Sequence, residues 1–187
     1  MANRNTQGFG LVPAGTLGQT PATSGTGKYK IDAGSSTTIF QGGAVSSSAG
    51  YIVEGQGTAD NPMVGVLNGI FFNAATTLKP TFQNHYVQVT PANSEDIDAF
   101  VFDNPQQQYV VATDAAVAQS GYLETYDMNA SAGSTTTGKS SSTLDIGDTS
   151  ADAAAFRLLR SAEDPENDEN AAFRSVVVCL NLIELQS

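Results

Sequence analysis

Residues 133–140, Gly-Ser-Thr-Thr-Thr-Gly-Lys-Ser, match the phosphate-binding pattern G-x-x-x-x-G-K-[ST]. Such a loop binds phosphate only where a buried strand precedes it and a helix opens at the lysine, because backbone amides must converge on the phosphate oxygens. Here residues 126–132, Tyr-Asp-Met-Asn-Ala-Ser-Ala, come before the loop, and three more Ser or Thr residues come after it. The sequence therefore predicts a Gly/Ser/Thr loop that meets the pattern by chance.

A run of acidic residues is a second candidate for chemistry, since hard cations such as Ca²⁺ take oxygen ligands. Its five carboxylates are Glu163, Asp164, Glu166, Asp168 and Glu169. The run lacks the glycine-centred spacing of a calcium loop, and a charge run between two strands is usually solvated. We expect a solvated hairpin loop, with a weak cation or partner contact as the alternative, and we predict no metal site.

The remaining reactive side chains are isolated. His85 is the sole histidine, so a zinc site would need Cys or carboxylate help. Cys179 is the sole cysteine and lies in an apolar run, which predicts a buried, inert thiol.

Two carboxylate pairs could in principle do acid–base work, Asp96 with Asp98 and Asp145 with Asp148. Both lie in turn-like settings where Asp commonly bonds nearby backbone. No G-x-S-x-G elbow is present. The sequence predicts a protein that is not an enzyme and has no cofactor.

Charge narrows the classes of partner. The 187 residues carry 8 Lys and Arg against 19 Asp and Glu, for a net charge of -11. Nucleic acid and anionic membrane are poor partners for such a chain. No apolar run reaches the roughly 18 residues of a membrane span, and residues 1–11 lack a signal-peptide pattern. We expect synthesis in a cytoplasm.

Short apolar or alternating runs, bounded by Gly, Pro, Asn and Asp, predict β-strands. They lie at residues 29–31, 37–40, 51–53, 64–72, 86–89, 99–102, 109–111 and 173–185. Residues 153–159 fit a strand or a helix, and the valine-rich mate across the acidic loop favours a strand. Residues 113–119 predict a two-turn helix, and residues 129–150 a loop. The fold class is all-β, with a β-sandwich, jelly-roll or barrel body.

Residues 1–27 are rich in Gly, Thr, Ser and Pro and predict an extended N-terminal arm, with the body over residues 28–187. Phe9, Leu11, Val12 and Leu17 are its apolar points and the predicted contacts with a neighbour. In the body, Phe71 and Phe72 are adjacent and point to opposite faces of a strand, so one can be core while the other faces a partner.

Several stretches, taken in their order along the chain, resemble the small structural proteins of tailed-bacteriophage heads that decorate or cement the capsid. They are residues 5–13 (Asn-Thr-Gln-Gly-Phe-Gly-Leu-Val-Pro), 28–45, 63–69, 133–138 followed by Leu144 and Asp145, and 156–168 leading into 176–183. The chain departs from the pattern in a longer acidic run at 163–169 and in Lys139. The resemblance implies an all-β body, self-association as a trimer, and attachment to a capsid lattice through the arm and one face of the body.

The function expected from this resemblance is a viral structural protein on the outer surface of a tailed-phage capsid. It would bind the major capsid protein and stabilise the shell by bridging capsomers, and it would be found in the virion. The alternative is a host-facing receptor- or carbohydrate-binding head-fibre or knob module, which surface display of Tyr109, Tyr122 and Tyr126 around one concavity would favour. A ring-forming joining protein is a third possibility.

Overall fold

The structure is a computed structural model that describes residues 3, 5–18, 25–147, 154–163, 165–168, 170–181 and 184. It contains thirteen strands and two 3-10 turns, Ala92–Ser94 and Gln119–Gly121, and no α-helix within those residues. The strands are β1 Val12–Thr16, β2 Gly27–Ile31, β3 Ala44–Ser48, β4 Tyr51–Glu54, β5 Gly65–Asn73, β6 Pro80–Gln83, β7 Ile97–Phe102, β8 Gln107–Ala112, β9 Thr125–Tyr126, β10 Met128–Asn129, β11 Thr143–Leu144, β12 Phe156–Ser161 and β13 Ser175–Leu180.

The strands form two main antiparallel sheets. Sheet I has the order β1-β8-β13-β12-β9, and sheet II has the order β2-β7-β5-β3-β4, with β6 beside the end of β5. β10 and β11 form a separate two-stranded ribbon. The predicted all-β class is confirmed, and the packing of the antiparallel sheets is that of a β-sandwich.

The described residues form two apolar cores, of which the first joins the two sheets. The first lies where sheet I packs on Ala44 and Val66 of sheet II, and its largest buried side chains include Tyr109 and Phe156. The second lies on the other face of sheet II, which curls until β2 and β4 contact each other and enclose Ile31, among others. Because side chains alternate across a strand, β5 and β3 each supply both cores.

The strand interpretation of residues 153–159 is confirmed in its described part. In β12, Phe156 and Leu158 are buried while Arg157 and Leu159 are half-buried, the period-two pattern of a strand. Its partner β13 is buried along its whole length and lies between β8 and β12 in sheet I. The acidic run joins the two strands as a hairpin loop, as predicted.

The predicted helix at residues 113–119 is wrong. Thr113 forms two backbone hydrogen bonds with the residues just before β13. Its N–H donates to Arg174 O at 2.9 Å, and its C=O accepts from Phe173 N at 2.8 Å. These bonds extend the β8–β13 ladder past Ala112, which excludes a helical start at Thr113. Only the 3-10 turn Gln119–Gly121 follows.

The segments of two predicted strands form only a single β-bridge. Residues 37–40 and 86–89 meet only at Ile39 and Tyr86, which exchange backbone hydrogen bonds of 2.9 and 2.7 Å. Tyr86 is fully buried, and Val87 and Val89 are half-buried. Both segments are loops, and their buried residues Ile39 and Tyr86 pack in the core of sheet II.

The N-terminal segment differs from the predicted arm over residues 1–27. β1 pairs with β8 along Val12–Thr16, and Leu11 is buried in the first core. The described part of the segment up to Thr16 therefore belongs to the body. No apolar pattern in the segment indicates this, because the segment has few apolar residues and is ordered by pairing with a distant strand. Residues 19–24 of the predicted arm lie outside the described residues.

Candidate interaction surfaces

The six predicted contact residues divide into buried and accessible ones. Leu11 is 2% exposed and Phe72 is 7% exposed, so the two cores take up both side chains. Val12 is 47% exposed and Leu17 is 40% exposed. Phe9 and Phe71 are half-buried. The accessible four lie in two places, beside β1 and on the outer face of β5.

A cavity of about 400 Å³ lies beside β1, and we call it the arm pocket. Its lining is mainly apolar, with three polar side chains: Phe9, Leu11, Val12, Pro13, Gln41, Gly42, Leu67, Asn68, Phe102 and Lys139. The pocket thus collects three of the predicted arm residues at the junction of the N-terminal segment with sheet II. Sequence reasoning named those residues but not the partners that complete the pocket.

Close backbone contacts fix Phe9 beside this pocket. A Cβ on Gly8 would lie 2.1 Å from Ser141 O, and one on Gly10 would lie 2.7 Å from Gly42 O. Gly10 also has a φ of +74°, which L side chains rarely adopt. The Leu11 N–H then donates to Gly42 O at 2.8 Å. Glycines on both sides of Phe9 therefore let the chain pass close enough to the body to place the ring.

Amide side chains connect the pocket to the loop that carries Lys139. Gln41 Nε2 approaches Asn68 Oδ1 at 3.4 Å, and Asn84 Nδ2 donates to Thr137 O at 2.8 Å. His85 Nδ1 lies 2.9 Å from Asn84 Oδ1. Because Asn84 uses its amide hydrogens elsewhere, its oxygen accepts and His85 Nδ1 donates. His85 thus has a positioning role here, and its ring stacks on Phe40 with centroids 5.9 Å apart.

The second accessible place is the aromatic patch, which consists of Phe71 and Phe82. Phe71 lies opposite Phe82 across the β5–β6 pair, with ring centroids 4.7 Å apart. Phe82 is 72% exposed. The expectation that Phe71 and Phe72 point to opposite faces is confirmed, since Phe72 packs in the core of sheet II.

Phe82 was missed by the sequence analysis because residues 80–83 form no apolar run. The available signal was local: Phe82 stands between Thr81 and Gln83, just after Pro80. A proline lacks a backbone donor and is confined to strand starts and edges, which fits the edge position of β6.

An ion-pair cluster borders the aromatic patch. Asp98, opposite Phe71 in β7, bonds Lys28 Nζ at 2.7 Å and Lys30 Nζ at 2.6 Å. Burial raises the pKa of Asp98, but the bonds from both lysines outweigh it and hold the pKa below its usual range. Asp98 and Asp96 are thus structural, since Asp96 accepts from Tyr51 Oη at 3.2 Å and from Ala33 N at 3.3 Å.

The phosphate-loop pattern forms a tight turn. Gly138 N–H donates to Ser134 O at 2.7 Å and Ser134 N–H to Lys139 O at 3.0 Å. Ser140 Oγ donates to Ser142 Oγ at 2.9 Å. Two amides of the motif are therefore used within the turn, and no helix follows in the described residues up to Gly147.

The other candidates for chemistry stay apart. Cys179 is buried, which raises the pKa of its thiol. Asp145 Oδ1 accepts from Gly147 N at 2.9 Å, the expected local turn, and Asp148 lies outside the described residues. Within the described part of the chain, no group of three or more His, Cys, Asp or Glu side chains is placed to hold a metal ion.

Side-chain amides and one carboxylate hold the described part of the acidic loop, since Asp168 Oδ1 accepts from Asn170 N at 3.0 Å. Asn167 Nδ2 donates to Ser175 O at 2.8 Å and its Oδ1 accepts from Ser175 N at 2.9 Å. Asn3 Nδ2 donates to Ala172 O at 2.8 Å, which ties the N-terminal segment to the same loop. Glu163 and Glu166 are exposed, and Asp164 and Glu169 lie outside the described residues.

The three tyrosines that could form a sugar-binding platform do not share a surface. Tyr109 is fully buried and donates to Phe102 O at 3.1 Å, and Tyr126 is buried and donates to Gly121 O at 3.0 Å. Tyr122 is half-buried beneath the Arg174 guanidinium, 5.7 Å from the ring centroid.

Among the described residues, no helix has the length and apolar character needed to cross a membrane. Comparison with known proteins adds no relative: no protein family, no curated protein and no solved structure matches the chain.

Proposed function

We propose that this chain is a non-enzymatic structural protein that binds the outer surface of a tailed-phage capsid and stabilises it by bridging capsomers. Its partners are the major capsid protein and copies of itself, as a homotrimer, and its location is the virion. The sequence resemblance supports the viral identity. The all-β fold and the acidic charge are compatible with a role through protein contacts alone.

The aromatic patch is the observation that carries the proposal. Leaving Phe82 mostly in water forgoes about 2 kcal/mol of burial free energy, and the adjacent Phe71 ring enlarges the apolar area. Aromatic side chains at the centre of a contact, surrounded by polar residues, are typical of binding hot spots. The ion pairs of Lys28 and Lys30 with Asp98 supply such a polar rim.

The alternative as a receptor- or carbohydrate-binding module has less support. Stacking on sugars requires exposed aromatic rings around one concavity. Tyr109 and Tyr126 are buried, so the tyrosines that would favour this alternative are used by the core.

The test is a co-sedimentation assay with capsids that lack this protein. We expect saturable binding by the wild-type chain and at least tenfold weaker binding by Phe82→Ser, because a central aromatic residue contributes about 2 kcal/mol. Leu78→Ser is the matched control, since Leu78 is also 72% exposed but lies in the β5–β6 turn. Absence of saturable binding by the wild-type chain would refute the capsid-binding function.

A further inference from the structure

The arm pocket combines an apolar lining with a cation that forms no ion pair within the described part of the chain. Phe9, Val12 and Phe102 supply apolar surface, and Lys139 lies at the same cavity. Lys139 is exposed, and no carboxylate of the described residues forms an ion pair with it. In a chain of net charge -11, an unpaired lysine beside apolar surface is a distinct local environment. It favours an occupant that is apolar and carries negative charge.

The position of the pocket favours an extended peptide as this occupant. Val12 and Pro13 of β1 form one side of the cavity, and β1 is an edge strand of sheet I. A partner chain can therefore run alongside the edge. Pro13 and the register shift between Pro13 and Gly15 interrupt a regular backbone ladder there. Recognition must then depend mainly on side chains entering the cavity, whose size of about 400 Å³ is that of a ligand site.

Gln41 and Asn68 can bind the peptide backbone. Their mutual contact, Nε2 to Oδ1, is long at 3.4 Å, and both amides line the cavity. A side-chain amide has two donor hydrogens and an acceptor oxygen, so each retains capacity for a further hydrogen bond.

We infer that the arm pocket binds an extended segment of a partner protein in which a bulky apolar side chain stands next to an Asp or Glu. The apolar side chain packs between Phe9, Val12 and Phe102, and the carboxylate pairs with Lys139. The identity of the partner as the capsid protein rests on the proposed function, whereas the chemistry of the segment does not. Together with the aromatic patch, the pocket gives the chain a second contact surface, as bridging requires.

The experiment is selection of a random 12-residue peptide library on the immobilised full-length chain, without capsids. We expect the enriched peptides to share a bulky apolar residue adjacent to Asp or Glu. Their affinity should fall at least fivefold with Lys139→Glu, because a favourable charge pair is replaced by a repulsive one, and with Val12→Ser, which removes apolar lining. Enrichment of nothing, or of peptides without this pattern, would overturn the inference.

Lys79→Glu is the matched control, since it makes the same charge change on an exposed lysine beside β6, outside the pocket lining. Equal losses of peptide affinity in Lys79→Glu and Lys139→Glu would mean that net charge alone causes the effect. That result would contradict peptide binding at the arm pocket. Near-UV circular dichroism of each variant checks that the fold is retained. Because the selection uses no capsids, its failure is distinguishable from a failure of capsid binding.

Discussion

Two adjacent residues of the N-terminal segment, Leu11 and Val12, have opposite environments. Leu11 points into the first core and is almost fully buried, while Val12 is 47% exposed at the arm pocket. A predicted contact residue and a core residue thus differ by one position. The difference follows from strand geometry, since successive side chains point to opposite sides.

Leu11→Ala should lower the free energy of unfolding by about 3 kcal/mol, because it leaves a cavity in a packed core. Val12→Ser should change it by less than about 1 kcal/mol, as expected for a largely exposed position. Urea denaturation of both variants measures the difference. Equal, small effects would mean that the segment does not pack on the body as described.

Asp98 gives a pH-dependent prediction. Its folded-state pKa lies below the unfolded value of about 3.9, so it stabilises the fold above that pH and loses this contribution as the pH falls through the folded pKa. Asp98→Asn should therefore be less stable than wild type by about 1 kcal/mol at pH 7, with the difference shrinking as the pH falls below about 3.9. Urea denaturation at pH 7, 5, 3 and 2 measures this. A difference that does not change with pH would contradict the ion-pair assignment.

At the scale of elements, β1 is the least expected part of the fold. It covers one edge of β8, and the preceding Gly10 and Leu11 donate backbone hydrogen bonds to Ser142 O and Gly42 O. The strand is ordered by long-range pairing, because its own sequence, Val-Pro-Ala-Gly-Thr, has little strand propensity.

Deletion of residues 1–16 should lower the free energy of unfolding by several kcal/mol, since it removes buried Leu11 and the β1–β8 pairing. Amide hydrogen exchange should at the same time become faster in β8, while β12 stays protected between β13 and β9. Unchanged exchange in β8 would contradict its pairing with β1.

The strands that the sequence predicted well are those with a high density of apolar residues. β5, β7, β8 and β13 have it, because they are central strands and bury valine, isoleucine and phenylalanine. The sequence did not predict β1, β3 and β6, whose residues are mostly small or polar. β1 and β6 lie at sheet edges, which impose no apolar pattern, whereas β3 lies between β5 and β4.

On the candidate surfaces, individual side chains were predictable from the sequence, but the residues that contact them in space were not. The opposite orientation of Phe71 and Phe72 follows from strand period alone, which made it predictable. The meeting of Phe71 with Phe82, or of Phe9 with Phe102 and Lys139, depends on sheet register and loop position. The residues of each contact are separated along the chain, so no local sequence pattern indicates that they meet.

At the scale of the whole molecule, the net charge of -11 sets long-range repulsion between copies. The proposed self-association must overcome this repulsion. We expect a discrete trimer in light scattering, with a larger trimer fraction at 0.5 M than at 0.02 M NaCl, because salt screens the repulsion. A monomer at both salt concentrations would contradict the proposed self-association.

The most direct measurement of the central claim is heat-induced DNA release from capsids that lack this protein, with and without added chain. A protein that bridges capsomers adds contacts that shell rupture must break, so saturating wild-type chain should raise the release temperature. Phe82→Ser should raise it less than Leu78→Ser does at equal concentration. An unchanged release temperature with the wild-type chain bound to the particles would contradict the stabilising role.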